Sequence, residues 1–244
     1  AWRAVSQWRS SWLSREGAMA LLTYAPALLF GAGWLFFGSA GGWIGLLGAL
    51  AALGAALTVY CTSMIYASLK PVREWHQPLV PPVYLAFALM TGALLLHLVL
   101  QLFGAPRGWA AALALGATAL AFGLKRRYWA ALARAAGGPT PETATGLGGL
   151  GRVRMLEPPH TETNYLLSEM GFRVARRHAA KLRRYAWLLG FAGAALLSVL
   201  ALLATGAWAS VLALLAALSG IAGVLIERWL FFAEATHTVT LYYD

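Results

Sequence analysis

Nine carboxylates and five histidines are the side chains of this chain best suited to proton chemistry near neutral pH, so each can be weighed by its place. Glu16 closes the segment Ser11-Trp12-Leu13-Ser14-Arg15-Glu16 at the mouth of a long apolar stretch. A carboxylate there is either a helix N-terminus group, stabilised by the dipole by about 0.3–1 kcal/mol, or a proton acceptor for a hydroxyl such as a quinol's. The second role needs a carboxylate or histidine within hydrogen-bond reach. Glu234 and His237 lie three apart, a spacing that shares a helix face. Glu227 and Arg228, one to two turns earlier, extend that face into a polar stripe. The plainer reading is a solvated helix end just beyond a bilayer. His76, in Trp75-His76-Gln77, is a site residue or an interfacial histidine. His97 lies inside Leu94-Leu95-Leu96-His97-Leu98. It fits a neutral, hydrogen-bonded histidine better than a haem ligand, because bis-histidine ligation needs a second histidine within a span. Tyr60, Thr62, Ser63 and Tyr66 make a last polar cluster. Thr62 and Tyr66 share a helix face and either bond to a neighbouring helix or line a headgroup pocket. There is no phosphate loop, zinc ligand set or serine triad, so the chain does not read as a stand-alone enzyme.

The elements that must hold these residues are six apolar stretches, roughly 17–38, 43–68, 82–104, 108–124, 186–205 and 208–226. Each approximates the 17–25 residues of a membrane-spanning helix. The chain is 60% hydrophobic with a mean hydropathy of +0.65 and only 11% charged residues, about half the charge of a soluble domain. The expected fold is therefore all-α, a polytopic transmembrane bundle forming one anchor domain over residues 1–244, with a polar loop at 125–185. Of the 19 Lys and Arg residues, 17 fall in the N-terminal segment, the link after the second stretch and that long loop. No Asp or Glu lies on the opposite side. The asymmetry predicts both termini and all substantial loops in one compartment, the cytoplasm. The net charge of +10 is then accounted for by orientation and by anionic lipid or an acidic partner, not by nucleic acid. The single cysteine, Cys61, excludes an internal disulfide and a cysteine-ligated cluster within the chain. Trp residues gather at span ends, as interfacial belts do. Residues 1–16 read as an interfacial helix, and Asn164 as the cap of a basic amphipathic helix running to about Arg184. No internal repeat of the transporter kind is evident.

Four segments together carry a family resemblance: Ser11 to Glu16; Cys61-Thr62-Ser63-Met64-Ile65-Tyr66-Ala67-Ser68-Leu69-Lys70-Pro71 with Trp75-His76; Asn164-Tyr165 leading into Glu169-Met170-Gly171-Phe172; and Glu227 through His237. They resemble the membrane anchor of the dimethyl sulfoxide reductase family. The resemblance implies eight helices in a full-length member, no haem, and two soluble partners. One partner carries four iron–sulfur clusters and the other is a molybdopterin catalytic subunit. The anchor exchanges electrons between a quinone, ubiquinone or menaquinone, and the nearest cluster. Its quinol carboxylate matches Glu16; the family's His and Arg that complete the site belong to a segment expected upstream of Ala1, with two further helices. The quinone-binding set expected here is Glu16 with Arg15 and Trp12 beside it, together with His76, Glu234 and His237. Because the charge bias places the docking side in the cytoplasm of a bacterial inner membrane, the anchor is most similar to that of sulfite-oxidising membrane complexes that reduce quinone. A dimethyl sulfoxide or polysulfide reductase anchor oxidising quinol is the alternative within the class, and a transporter-like bundle the alternative outside it.

Overall fold

The structure, a computed structural model, describes residues 5–105, 108–134, 137–138, 140–157 and 172–242. Six helices are long and apolar enough to cross a membrane. They are α1 (Trp12–Phe37), α2 (Gly42–Ala67), α3 (Val80–Leu102), α4 (Gly108–Arg134), α7 (Ala179–Leu203) and α8 (Gly206–Ala233). Two short helices, α5 (Pro141–Thr145) and α6 (Arg173–Arg177), lie in the long polar loop. No strand occurs among the described residues, only an isolated antiparallel bridge between Val72 and His237. The all-α multi-pass expectation is borne out.

The helices outrun the apolar stretches. The first begins at Trp12, not 17, because Ser11 adopts extended backbone and its hydroxyl accepts from the Ser14 amide at 3.4 Å, an N-cap. The fourth continues through Lys125 to Arg134 and the sixth through Arg228 to Ala233. Charged side chains do not end a helix; they end only its apolar window. Two expected helices are interrupted. Residues 5–6 are helical, but residues 7–10 form a turn before Ser11. The basic segment past residue 172 is broken at His178 (φ −105°, ψ 13°) between α6 and α7. The expected cap at Asn164, with Tyr165 and Glu169 to Gly171, lies outside the described residues.

The chain divides into two compact units. Unit 1 holds residues 1–68 and 80–85, and its core is the α1–α2 hairpin. Along α1 only Ser14 and Gly33 are buried. A helix apolar all round and exposed nearly all round is one that faces lipid or other membrane helices. The two helices approach closely at Gly54, where a Cβ would collide with the Thr23 side chain.

Unit 2 holds residues 69–79 and 86–244. Small residues are buried along α4 (Ala110, Ala114, Ala117 and Ala121) and along α8 (Ala209, Ala213, Ala216, Ala217 and Gly220), and both helices pack against α7. Small residues let helix backbones pack where lipid supplies no hydrophobic drive. On α3, Met90, Leu94, His97 and Gln101 are buried at helical spacing, and Gln101 Nε2 donates to the Ala201 carbonyl at 3.3 Å. Within α7, residues Leu188–Gly193 widen into a π turn. The carbonyl of Leu189 there accepts from Ser219 Oγ at 2.8 Å. Gly190 faces Gly223 so closely that a Cβ on Gly223 would overlap the Gly190 backbone. Gly223→Ala is therefore expected to destabilise by about 1–3 kcal/mol. Gly92→Ala, with nothing near its added carbon, is expected to be neutral or stabilising by about 0.4–1 kcal/mol. Thermal unfolding of both variants in one detergent checks the contrast.

In the polar loop, the Glu142 carboxylate accepts from the Val153 amide at 3.0 Å. Backbone hydrogen bonds from its own amide and from Val153 hold its carboxyl below the usual range. The depressed value means the contact is formed above the ordinary carboxylate range and is lost as the pH falls through the lowered one. Amide exchange at Val153 is expected to be slow at neutral pH and to lose protection in acid faster than base-catalysed exchange alone predicts.

Candidate functional site

In unit 1 the mouth of the α1–α2 hairpin gathers Trp12, Arg15, Glu16, Tyr60 and Thr62. Helix α1 starts at Trp12, so Glu16 lies past the first turn, which carries no acidic residue. The helix-terminus reading of Glu16 is therefore corrected: the dipole acts within the first turn. What Glu16 meets is a hydroxyl. Thr62 Oγ1 donates to Glu16 Oε1 at 2.6 Å and also lies 3.0 Å from the Thr58 carbonyl. A hydroxyl has one proton for these two acceptors. With Glu16 ionised, the Thr62 proton points to the carboxylate. With Glu16 protonated, the acid donates to Thr62 Oγ1, and the threonine proton turns to Thr58.

Aromatic side chains pair along the same two helices and beside them. Trp12 meets Tyr60 edge to face at 6.1 Å. Tyr66 stacks on Tyr84 at 6.0 Å. The Arg15 guanidinium lies 4.2 Å over the Trp12 ring and donates to the carbonyls of Trp8 and Arg9, each at 2.8 Å. The ion pairs among the described residues do not join Arg15 to Glu16. Arg15 folds the preceding turn back onto the helix and leaves the carboxylate to Thr62. A half-buried acid with a hydroxyl partner can take a proton from, or give one to, a ligand hydroxyl. That donor set fits a quinone headgroup.

The other expected site residues lie in unit 2, where the link 69–79 meets the C-terminal residues. Thr238 donates from its amide and its hydroxyl to the Pro71 carbonyl at 3.0 and 2.8 Å, and Glu74 Oε2 accepts from the Thr236 amide at 3.1 Å. These donors leave the helical ladder, so α8 ends at Ala233 and His237 pairs with Val72 instead of following Glu234 around the helix. The shared helix face expected of Glu234 and His237 is not formed. Glu234 instead accepts from Arg183 at 2.7 Å. His237 borders a cavity of about 150 Å³ with Arg73, Glu74, Gly138, Thr236, Thr238 and Leu241. Its Nδ1 accepts from the Val239 amide at 3.0 Å, so its Nε2 carries the ring proton. His76 is exposed, one turn past Val72, whose carbonyl accepts from its amide at 2.9 Å.

The most deeply placed charges escape a reading by apolar windows. Lys125 and Glu227, each 1% exposed, form an ion pair, and Arg228 Nε donates to Glu227 Oε2 at 2.6 Å. Lys125 Nζ lies 3.8 Å over Tyr128 and 4.7 Å over Trp129; Arg228 lies 4.6 Å over Phe231. Tyr128 donates to the Glu74 carbonyl at 2.8 Å, and Trp75 to that of Phe231 at 2.9 Å. The link 69–79 is thereby fixed to the helices that carry the ion pair. One signal was present in sequence: Ala110, Ala114, Ala117, Ala121, Lys125 and Tyr128 continue one helical face.

No family model matches the chain, and no solved structure matches it. The C subunit of the sulfite dehydrogenase of Allochromatium vinosum is similar to it, at 32% identity over 261 residues that cover all of this chain and 77% of that protein. The chain belongs to the family of sulfite dehydrogenase C subunits. The resemblance drawn from the four sequence segments is borne out. In this family member the six apolar helices make a multi-pass membrane protein, with one polar cluster at the hairpin mouth of unit 1 and one buried ion pair in unit 2.

Proposed function

We propose that this chain is the membrane subunit of a multi-subunit sulfite-oxidising complex, that it binds quinone at the mouth of the α1–α2 hairpin, and that it passes electrons between the quinone and an iron–sulfur subunit. The match to the C subunit of a sulfite dehydrogenase, over the whole length of this chain, supports the complex, and the Glu16–Thr62 pair carries the quinone reading. Oxidation of sulfite to sulfate, with water supplying the oxygen, releases two electrons and two protons at the catalytic subunit. When bound, quinone supplies the acceptor for two electrons and two protons.

In this reading the Glu16 carboxyl exchanges a proton with the ligand, and Thr62 keeps the carboxyl aimed by turning its own proton between Glu16 Oε1 and the Thr58 carbonyl. Trp12 and Tyr60 offer flat surfaces to a ring. Arg15 holds the preceding turn as the rim. The soluble partners, an iron–sulfur subunit with four clusters and a molybdopterin subunit, dock on the side of the basic N-terminal segment and loops. The charge bias makes that the cytoplasmic face of a bacterial inner membrane. His76, Glu234 and His237 lie apart from Glu16 in sequence and serve the link and C-terminal residues of unit 2.

The test is purification of the full-length chain from its own membranes. Molybdenum and iron co-purifying with two soluble subunits, and sulfite-dependent reduction of a short-chain quinone, are expected. A chain that purifies alone without metals refutes the complex. A metal-bearing complex that oxidises sulfite with an artificial acceptor but never with quinone refutes the quinone site.

A further inference from the structure

Ser198 breaks a rule that the threonines of the spans keep. Thr23, Thr58, Thr62, Thr91 and Thr118 each place Oγ1 2.7–3.0 Å from the carbonyl four residues back, the local way to satisfy a hydroxyl inside a helix. Ser198, on α7, is 1% exposed, yet its Oγ has no hydrogen-bond partner among the described residues. Gln101, on α3, is 5% exposed and half satisfied. Its Nε2 donates to the Ala201 carbonyl at 3.3 Å. A carbonyl only accepts, so this bond fixes which end of the amide is which. The other end, Oε1, is buried without a partner.

Three contacts set the register of α3 along α7. The rings of Phe87 and Phe191 meet at 6.2 Å. Leu94 and Ala194 come together at Gly220 of α8, where an added Cβ would lie 2.5 Å from Leu94 Cδ1 and 3.5 Å from Ala194 Cβ. Gln101 then reaches Ala201. The two helices therefore run parallel. His97 is three residues past Leu94 and four before Gln101, and Ser198 is four past Ala194 and three before Ala201. These spacings keep each set on one face of its helix. His97 and Ser198 thus stand at one level, bracketed by contacts on both sides, and His97 is 1% exposed. One turn from Gly220, α8 buries Ala216 and Ala217, which bring no polar side chain.

The geometry points to a hydration site between α3 and α7, where water accepts from the Ser198 hydroxyl and donates to Gln101 Oε1 beside the His97 ring. A buried water takes about two to four polar partners, and these side chains supply a donor, an acceptor and an imidazole. An apolar occupant would leave both orphaned groups unsatisfied. A direct bond between Ser198 and His97 would serve the hydroxyl and leave Gln101 Oε1 orphaned. Water serves both. Access is from the helix ends. His97 and Ser198 each lie five residues before the end of their helix, at Leu102 and Leu203, a rise of about 8 Å. Both ends lie opposite the long polar loop, so the water links a histidine within a span to the aqueous phase on that face. The site lies wholly within unit 2 and stands independently of the quinone reading.

Solid-state NMR of the full-length protein in phosphatidylcholine vesicles, with polarisation transferred from water, is the experiment. Transfer to the His97 ring and the Gln101 side-chain amide is expected to be severalfold faster than to the Leu94 and Ala194 amides one turn deeper. Equal rates overturn the site. Ser198→Ala is expected to slow the transfer to His97 and to lower the unfolding midpoint. In a dry interior the same change only removes an unsatisfied hydroxyl, which is neutral or stabilising, so a midpoint that stays or rises overturns the site. A midpoint that falls while the transfer is unchanged also overturns it, because Ser198 then bonds to a protein group directly. Should S198A fail to accumulate, the transfer rates of the wild type decide.

Discussion

Glu227→Gln is expected to destabilise the protein by about 3–5 kcal/mol, the cost of leaving buried charge uncompensated, and by clearly more than Lys125→Met. Glu227 is the one anion shared by two cations, Lys125 and Arg228. Removing it takes from both the carboxylate that they share, among Phe87, Tyr128, Trp129 and Phe231. Removing Lys125 leaves Glu227 and Arg228 as a neutral pair, and Met fills much of the vacated volume in an apolar surrounding. The double variant K125M/E227Q is expected to recover part of the loss, since it removes the fully buried ammonium along with its carboxylate and Arg228 is partly exposed. Thermal unfolding of the purified chain, at one pH and in one detergent, measures the order. An unfolding midpoint for E227Q at or above that of K125M would contradict it. The ring partners also anchor the link 69–79 through Trp75 and Tyr128, so E227Q is expected to expose that link to protease before the helices unfold.

The same ion pair marks how much the sequence tells. Six spans were legible because hydropathy reports directly what lipid requires of a helix. The helix ends were not. Hydropathy stops where charge begins, whereas the backbone ladder runs on through Lys125 to Arg134 and through Arg228 to Ala233. Lys125 therefore read as loop charge although it lies on the alanine face of α4. Its partner is far away along the chain, and no local pattern announces such a pairing. At Glu16 the residue was legible but its environment was not. The polar cluster of Tyr60 and Thr62 was visible on α2, yet which hydroxyl meets the carboxylate depends on the register of the α1–α2 hairpin, set by close approaches such as Gly54 against Thr23. The misjudged face was that of Glu234 and His237. Spacing of three implies a shared face only while the helix lasts, and capture of the Thr236 amide by Glu74 ends it first.

Glu16→Gln is expected to lower quinone-linked sulfite oxidation by a factor of about 10²–10⁴, the usual range for removing a positioned proton-transfer group. Assembly and activity with an artificial electron acceptor are expected to persist. Glutamine keeps the length of the side chain and can still bond to Thr62 Oγ1, so the hairpin mouth retains its shape while losing the group that takes up a proton. Thr62→Val tests the same site more gently. Valine matches threonine in shape but cannot donate to Glu16 or to the Thr58 carbonyl. A hydrogen bond to a charged group contributes about 1.5–3 kcal/mol, so quinone-linked turnover is expected to fall about 10- to 100-fold, with its pH profile displaced. Thr62→Ser is expected to restore both rate and profile. The profile separates a positioning role from mere packing, because a packing defect changes the rate and leaves the titration where it was. If E16Q turns over quinone at the wild-type rate, Glu16 moves no proton in this reaction. The carboxylate is then a structural partner of Thr62, and a proton group outside the α1–α2 mouth must be sought.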